Sequence, residues 1–238
     1  MLSTLPYDDF LALQRRLAYE AGGQEDGRIV VLVCEHPWLI SVGRRGSRGH
    51  IRLTNEQLRA RQLRVRWVSR GGGCVLHGPG QVAVYPITPL DRHGWTVGEY
   101  LARLQQGIAK TLSDLCLRPT TFPPSFGIWG RSGQLASCCV AVRNGISCHG
   151  VFVNVNPMMT NFSFVDVVPP EEVSEGQKST MGCLAAERRQ AISVPKVRAA
   201  LIPNLAAALG TDHYHLTTGH PLLVTLRKPP RESRHRAS

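Results

Sequence analysis

At 238 residues and 26.2 kDa, with 42% of residues hydrophobic, the chain can bury one sizeable core and is too long for a disulfide-stapled peptide. No apolar run approaches the roughly 20 residues of a membrane-spanning helix, and no basic segment with an apolar stretch follows Met1, so a soluble, cytoplasmic protein is expected. Lys and Arg number 28 against 17 acids, for a net charge of +11. Seven cysteines stand at positions 34, 74, 116, 138, 139, 148 and 183 with no CxxC pair, which points to reduced, mostly packed thiols rather than a zinc site or a disulfide framework.

In chain order, Asp8 or Asp9 is positioned to cap a helix carrying Phe10, Leu13 and Leu17 at helical spacing and ending at Gly22-Gly23. The continuous apolar run Arg28–Cys34 reads as a buried strand. A short helix is expected over Asn55–Leu63, and Arg64–Ser69 alternates charged with apolar residues as a half-exposed strand does. Gln81–Pro86 reads as another strand. Thr96-Val-Gly-Glu99 has the form of a capping box, and Val97, Leu101, Leu104, Ile108, Leu112 and Leu115 keep to one face of the helix it opens. Gly133–Val142 and Ile146–Asn154, joined through Asn144-Gly145, predict a β-hairpin. The stretch from Pro169 to Lys178 reads as a loop, and Ser193–Leu209 as a last helix, stopped by Gly210 and kinked at Pro203. The interleaving predicts a single mixed α/β domain over residues 1–225, followed by a basic, disordered tail at 226–238.

The positive charge is concentrated. Nine arginines and one acid, Glu56, lie between Arg44 and Arg70. Such a patch attracts polyanions or acidic proteins, but no aromatic platform interleaves the arginines, so nucleic acid is not expected as a partner. Arg70-Gly-Gly-Gly-Cys-Val-Leu-His77-Gly-Pro-Gly-Gln81 lies between two predicted strands, and five of its twelve residues are glycine. Its backbone can approach a ligand closely, yet it resembles neither a phosphate-binding P-loop, because no Gly-Lys-Ser/Thr follows, nor a dinucleotide fingerprint, because no helix follows.

That segment, followed by Tyr85-Pro86, resembles the signature of the lipoyl(octanoyl) transferases. Glu35-His36-Pro37, Val42-Gly43-Arg44, Gly127-Ile128-Trp129, and His149-Gly150 with Asn154-Val155-Asn156 resemble further family motifs in the same order. The resemblance spans about residues 7 to 210 and implies the mixed-sheet fold of biotin and lipoate protein ligases. It implies transfer of an octanoyl group from acyl carrier protein to a lysine of lipoyl domains, in dehydrogenase complexes or the glycine cleavage H protein. No cofactor and no metal is implied.

By resemblance the acyl site is lined by Arg70, Gly71, Gly72, Gly73, Cys74, Val75, Leu76 and His77, by Ser137, Cys138 and Cys139, and by Gly150, Val151 and Phe152. The family's catalytic cysteine and lysine match Pro170 and Gln134 here, so the usual thiolate and its lysine partner are missing. Cys139, or Cys148 beside His149, is the replacement candidate, with His77 or His149 as base and Lys178 as a displaced partner. The resemblance implies an active acyltransferase; the missing pair also fits a silent paralogue that binds acyl groups or acyl carrier protein.

Overall fold

The computed structural model describes residues 4–168, 173–188, 191–211, 213–221 and 223. Helix α1, Tyr7–Gly23, buries Phe10, Leu13 and Leu17 as their spacing predicts. Its N-cap is Pro6, with no side-chain cap. Asp8 and Asp9 therefore do not cap it; they sit in its first turn, where negative charge suits the helix dipole. Strand β1, Val30–Cys34, is two residues shorter than predicted, since the Arg28 amide donates to Asp26 and stays in the preceding turn. Strand β2, Leu39–Val42, was not predicted.

Helix α2, Asn55–Ala60, is held by a reciprocal capping box between Thr54 and Gln57, and ends before Gln62, whose φ of 51° is left-handed. Strand β3 covers Arg64–Trp67. Strand β4, Cys74–His77, occupies the middle of the glycine segment, which is thus part sheet rather than wholly a turn. Strand β5, Gln81–Ile87, precedes α3, Val97–Asp114, whose expected capping box forms between Thr96 and Glu99. Short β6, Ile128–Gly130, leads into the hairpin of β7, Gly133–Arg143, and β8, Ile146–Asn154. Asn144 and Gly145, at φ 49° and 75°, supply the two left-handed residues that a tight hairpin turn with matching twist requires. Short α4, Leu184–Glu187, precedes α5, Val194–Ala208, which starts on a Ser193 cap and continues through Pro203.

The strands make two sheets. The larger, ordered β1-β5-β8-β7-β6, is antiparallel throughout. The smaller, β3-β2-β4, is mixed: β2 runs parallel to β3 and antiparallel to β4. Mixed pairing is therefore a property of the small sheet alone.

Side-chain alternation along the strands sorts the core into layers. Val151 and Val153 of β8, with Val82 and Val84 of β5, pack on α3 and α5. Tyr100, Leu104, Ile108 and Leu112 of α3 are fully buried there, each worth about 1.5–3 kcal/mol relative to exposure for its apolar part. On the other face, Ala83, Tyr85, Phe152 and Cys139 meet α1 together with Leu39 and Val75 of the small sheet. The outer face of the small sheet, Ile40, Val42, Cys74 and Leu76, is covered by Ile51, Leu58, Phe162 and Val165. The layer between the two sheets holds the candidate site. The residues of the expected tail, 226–238, lie outside the described ones, as does Pro170.

Candidate functional site between the two sheets

The same alternation divides the predicted site residues. On β4, Val75 and His77 face the larger sheet, while Cys74 and Leu76 face outward, Cys74 donating its thiol hydrogen to the Ser47 carbonyl. On the hairpin, Cys139 and Phe152 face the inter-sheet layer, whereas Cys138 and Val151 belong to the α3 and α5 side. Cys148 lies opposite Ala141, two pairs nearer the turn than the Cys139–Gly150 pair, with Arg143 as its charged neighbour. Ser137 donates to the amide oxygen of Gln134 at 2.7 Å, so Gln134 is held in place by the strand it opens.

Arg70 is the centre of the layer. It is fully buried, so it does not belong to the surface patch in which its charge was counted. Its guanidinium donates to the Ser41 carbonyl at 2.8 Å, to Ser41 Oγ at 2.7 Å and to the Gly71 carbonyl at 2.8 Å, and lies 5.9 Å from the centre of the Phe152 ring. Oxygens and a ring face therefore replace the water it lost. The glycine segment closes over it. Gly43 must be glycine, because a Cβ there would stand 2.4 Å from the Gly72 carbonyl and 2.7 Å from Arg70 Nη1. The Gly71 amide bonds the Val140 carbonyl at 2.7 Å, tying the segment to β7.

Three histidines converge here with few charges. His36 Nδ1 donates to the Leu5 carbonyl at 2.6 Å, leaving Nε2 to accept from the Tyr85 hydroxyl at 2.6 Å. Burial pushes its pKa down to about 4. His77 is held well below the ordinary imidazole range by burial, then by His36 and Arg70. His149 is pushed to about 3, mainly by burial, and its Nδ1 is buried without a partner. His149 also carries a left-handed φ of 59° inside β8, and its backbone amide bonds Gln14 Oε1 of α1 at 2.5 Å. All three are neutral near pH 7 and can accept a proton only transiently.

Cys139 shares this layer. A Cβ added to Gly72 would come within 2.9 Å of its Sγ, so the thiol lies against the glycine segment and not in the helix-side core. Burial raises its pKa, with Arg70 opposing. Cys148 is raised by burial too. Lys178 is far from this layer in its contacts: its Nζ bonds the Arg131 carbonyl, and its own carbonyl takes the Trp129 indole N–H.

Several residues of the site were not singled out from the sequence. Ser41 looks like one hydroxyl in an apolar run, and only the β2 alternation, Leu39 and Ser41 inward against Ile40 and Val42 outward, shows which way it points. Tyr7, Phe10 and Tyr85 surround the histidines, with Phe10 stacked on Tyr85 at 3.7 Å and Tyr7 5.4 Å from His77. Glu35, of the Glu-His-Pro motif, accepts from the Gly80 amide at 2.8 Å and pairs with Arg198 of α5 at 3.1 Å, so it fixes the loop between β4 and β5. A cavity of about 620 Å³ opens elsewhere, bordered by Cys116, Phe122, Trp129 and Arg131. It shares no residue with the histidine layer, and the converging polar groups, not its volume, mark the candidate site.

A family model for the lipoyl protein ligase A/B catalytic domain matches residues 6–206. An octanoyltransferase of Roseiflexus sp. (strain RS-1) is 31% identical over 214 residues, covering 89% of this chain and 86% of that protein. An octanoyltransferase of Citrifermentans bemidjiense is 33% identical over 165 residues, covering 69% and 76%. Among solved structures, a lipoate-protein ligase A bound with ATP superposes with a TM-score of 0.72 at 16% identity, covering 94% of this chain and 91% of that one. A bipartite lipoate protein ligase from Thermoplasma acidophilum gives 0.71 at 14%, covering 94% and 89%. At those identities the structural likeness establishes the fold.

Proposed function

The chain belongs to the octanoyltransferase family of the lipoyl protein ligase A/B catalytic domain, and on that premise we propose that it moves an octanoyl group from acyl carrier protein to a lysine of a lipoyl domain. The observation that carries the reading is the built layer around Arg70: a buried cation, neutral histidines and a glycine segment in the places where the resemblance puts the acyl site. The layer is apolar where an alkyl chain needs it, through Phe10, Tyr85 and Phe152, and polar at one end. A thioester carbonyl brought to that end would meet a guanidinium able to stabilise developing negative charge.

The acidic donor protein has a complementary surface. Arg44, Arg45, Arg48, Arg52, Arg59, Arg61, Arg64 and Arg66 are exposed. Some are already engaged: Arg52 pairs with Asp166 at 2.5 Å, Arg66 with Asp8 at 2.6 Å, and Arg48 donates to the Ile51 and Leu53 carbonyls. Arg44 and Arg64 are the residues to reverse, because Arg48 and Arg52 also brace their own loop.

The reading is tested by complementation. Expression in a bacterium deleted for its own octanoyltransferase, with lipoate withheld, should restore growth and lipoylated protein. Absence of growth with the folded protein present at normal level would count against octanoyl transfer.

A further inference from the structure

The protons of one buried chain are fixed by the hydrogen bonds themselves. Gln81 Nε2 donates to the Leu76 carbonyl at 3.0 Å and to Asn154 Oδ1 at 2.8 Å. Asn154 Nδ2 donates in turn to the Gln134 carbonyl at 3.0 Å. Because backbone carbonyls only accept, both amides have a single orientation, and Gln81 presents its oxygen to His77. At 2.8 Å from that oxygen, His77 Nδ1 carries the hydrogen, so Nε2 has the lone pair. Ser41 Oγ lies 2.7 Å from Nε2. Arg70 donates to the same Oγ, at 2.7 Å from Nη2 and 3.3 Å from Nε, and cannot accept. Of these two partners only His77 can accept the Ser41 hydrogen.

A hydroxyl donating to a neutral imidazole, with the far nitrogen of the ring held by an acceptor, is the arrangement of an activated serine nucleophile. We propose that Ser41 is the acyl acceptor of this enzyme, with His77 as its base, Gln81 as the residue that fixes the His77 tautomer, and Arg70 as the cation that stabilises the charge developing at Oγ and the carbonyl. This deepens the octanoyl-transfer reading and rests on it. It supplies the nucleophile that neither Gln134 nor Pro170 can provide. Cys139 touches the same arginine side, but among the described residues no hydrogen-bonded base serves it, and burial raises its thiol pKa.

The chemistry balances without a cofactor. Ser41 Oγ attacks the thioester carbonyl while His77 Nε2 takes the hydroxyl proton. The C–S bond breaks, the proton passes from His77 to the leaving sulfur, and a free thiol and an octanoyl oxyester result. In the second half an acceptor amine attacks the ester. The C–N bond forms, the C–O bond breaks, and His77 carries a proton from nitrogen back to Oγ. Ser41 and His77 have no solvent exposure, so acylation requires part of their cover to move. Tyr7, 5% exposed, is the least buried of the rings around His77, and its hydroxyl lies beside Ser41 and Arg70.

The test is acylation of the full chain by octanoyl-loaded acyl carrier protein, read by intact mass and peptide mapping, beside transfer to an apo lipoyl domain. One octanoyl group should map to Ser41, resist neutral hydroxylamine and be released by alkaline hydroxylamine. Ser41→Ala, checked for an unchanged thermal transition, should lose the adduct and reduce transfer on the order of 10³-fold or more. Ser41→Cys should regain an adduct, now released by neutral hydroxylamine, and Cys139→Ser should keep the Ser41 adduct. An adduct on Cys139, or undiminished transfer by Ser41→Ala, overturns the assignment while leaving octanoyl transfer intact. An adduct on Ser41 with no transfer to the lipoyl domain upholds the assignment and removes that acceptor. Neither adduct nor transfer in the wild type removes both.

Discussion

Gly72→Ala tests the packing that brings the glycine segment onto the hairpin. Gly72 has a φ of 77°, and a Cβ there would stand 2.9 Å from Cys139 Sγ. The left-handed conformation costs an L-residue roughly 1–2 kcal/mol, and crowding in a packed interior adds about 1–3 kcal/mol, so the single variant should lose about 2–5 kcal/mol. The two parts are separable. Cys139→Ala removes Sγ and relieves the crowding, but leaves the backbone strain. In a double-mutant cycle read by urea unfolding, Gly72→Ala with Cys139→Ala should be more stable than the sum of the single losses predicts, by about 1 kcal/mol or more. Additivity within about 0.5 kcal/mol would show that the thiol does not lie against Gly72, and the placement of Cys139 in the inter-sheet layer would be wrong.

Buried neutral histidines make stability depend on pH with a definite sign. The folded pKa values of His36, at about 4, and His149, at about 3, lie below the ordinary 6.5, and His77 is lowered as well. Their contribution is present above about pH 6.5 and is lost as pH falls toward the folded values, at up to about 1.4 kcal/mol per pH unit for each ring. Unfolding curves between pH 7 and pH 4.5 should show this decline; a flat profile contradicts neutral burial. Glu35→Gln removes the charge that pairs with Arg198 and should cost about 1–3 kcal/mol, read as a lower unfolding midpoint, while an unchanged midpoint would mean the pair contributes nothing. Reversing Arg44 and Arg64 to Glu should weaken acyl carrier protein binding at least tenfold at low salt, with the difference shrinking as salt rises. Equal affinities would remove that surface from the docking account. Cys116 is the exposed thiol, so a thiol reagent should modify one site fast, and Cys116→Ser should abolish that phase.

Much of this architecture is legible in the sequence because its signals are local. The Thr96–Glu99 box, the apolar stripe of α3 and the Asn144-Gly145 turn each act within a few residues, and each forms as expected. The missed strands β2, β4 and β6 are only four, four and three residues long, too short for a period to show, and β2 and β4 are set by partners far along the chain. The site was legible as a segment but not as a network. Composition singles out Arg70–Gln81, whereas the link from Gln81 through His77 to Ser41 depends on pairing β2 with β4, which places Leu39 opposite His77 and Ser41 opposite Val75. Alternation also explains why Cys138 and Cys139, adjacent in sequence, fall into different layers.

Octanoyl transfer is tested most simply by the intact mass of an apo lipoyl domain after incubation with octanoyl-loaded acyl carrier protein and this purified protein. A gain of one octanoyl group on a lysine is expected, dependent on the protein and absent from the control without it. A lipoyl domain of unchanged mass, with the protein folded and the carrier still loaded, would contradict that transfer.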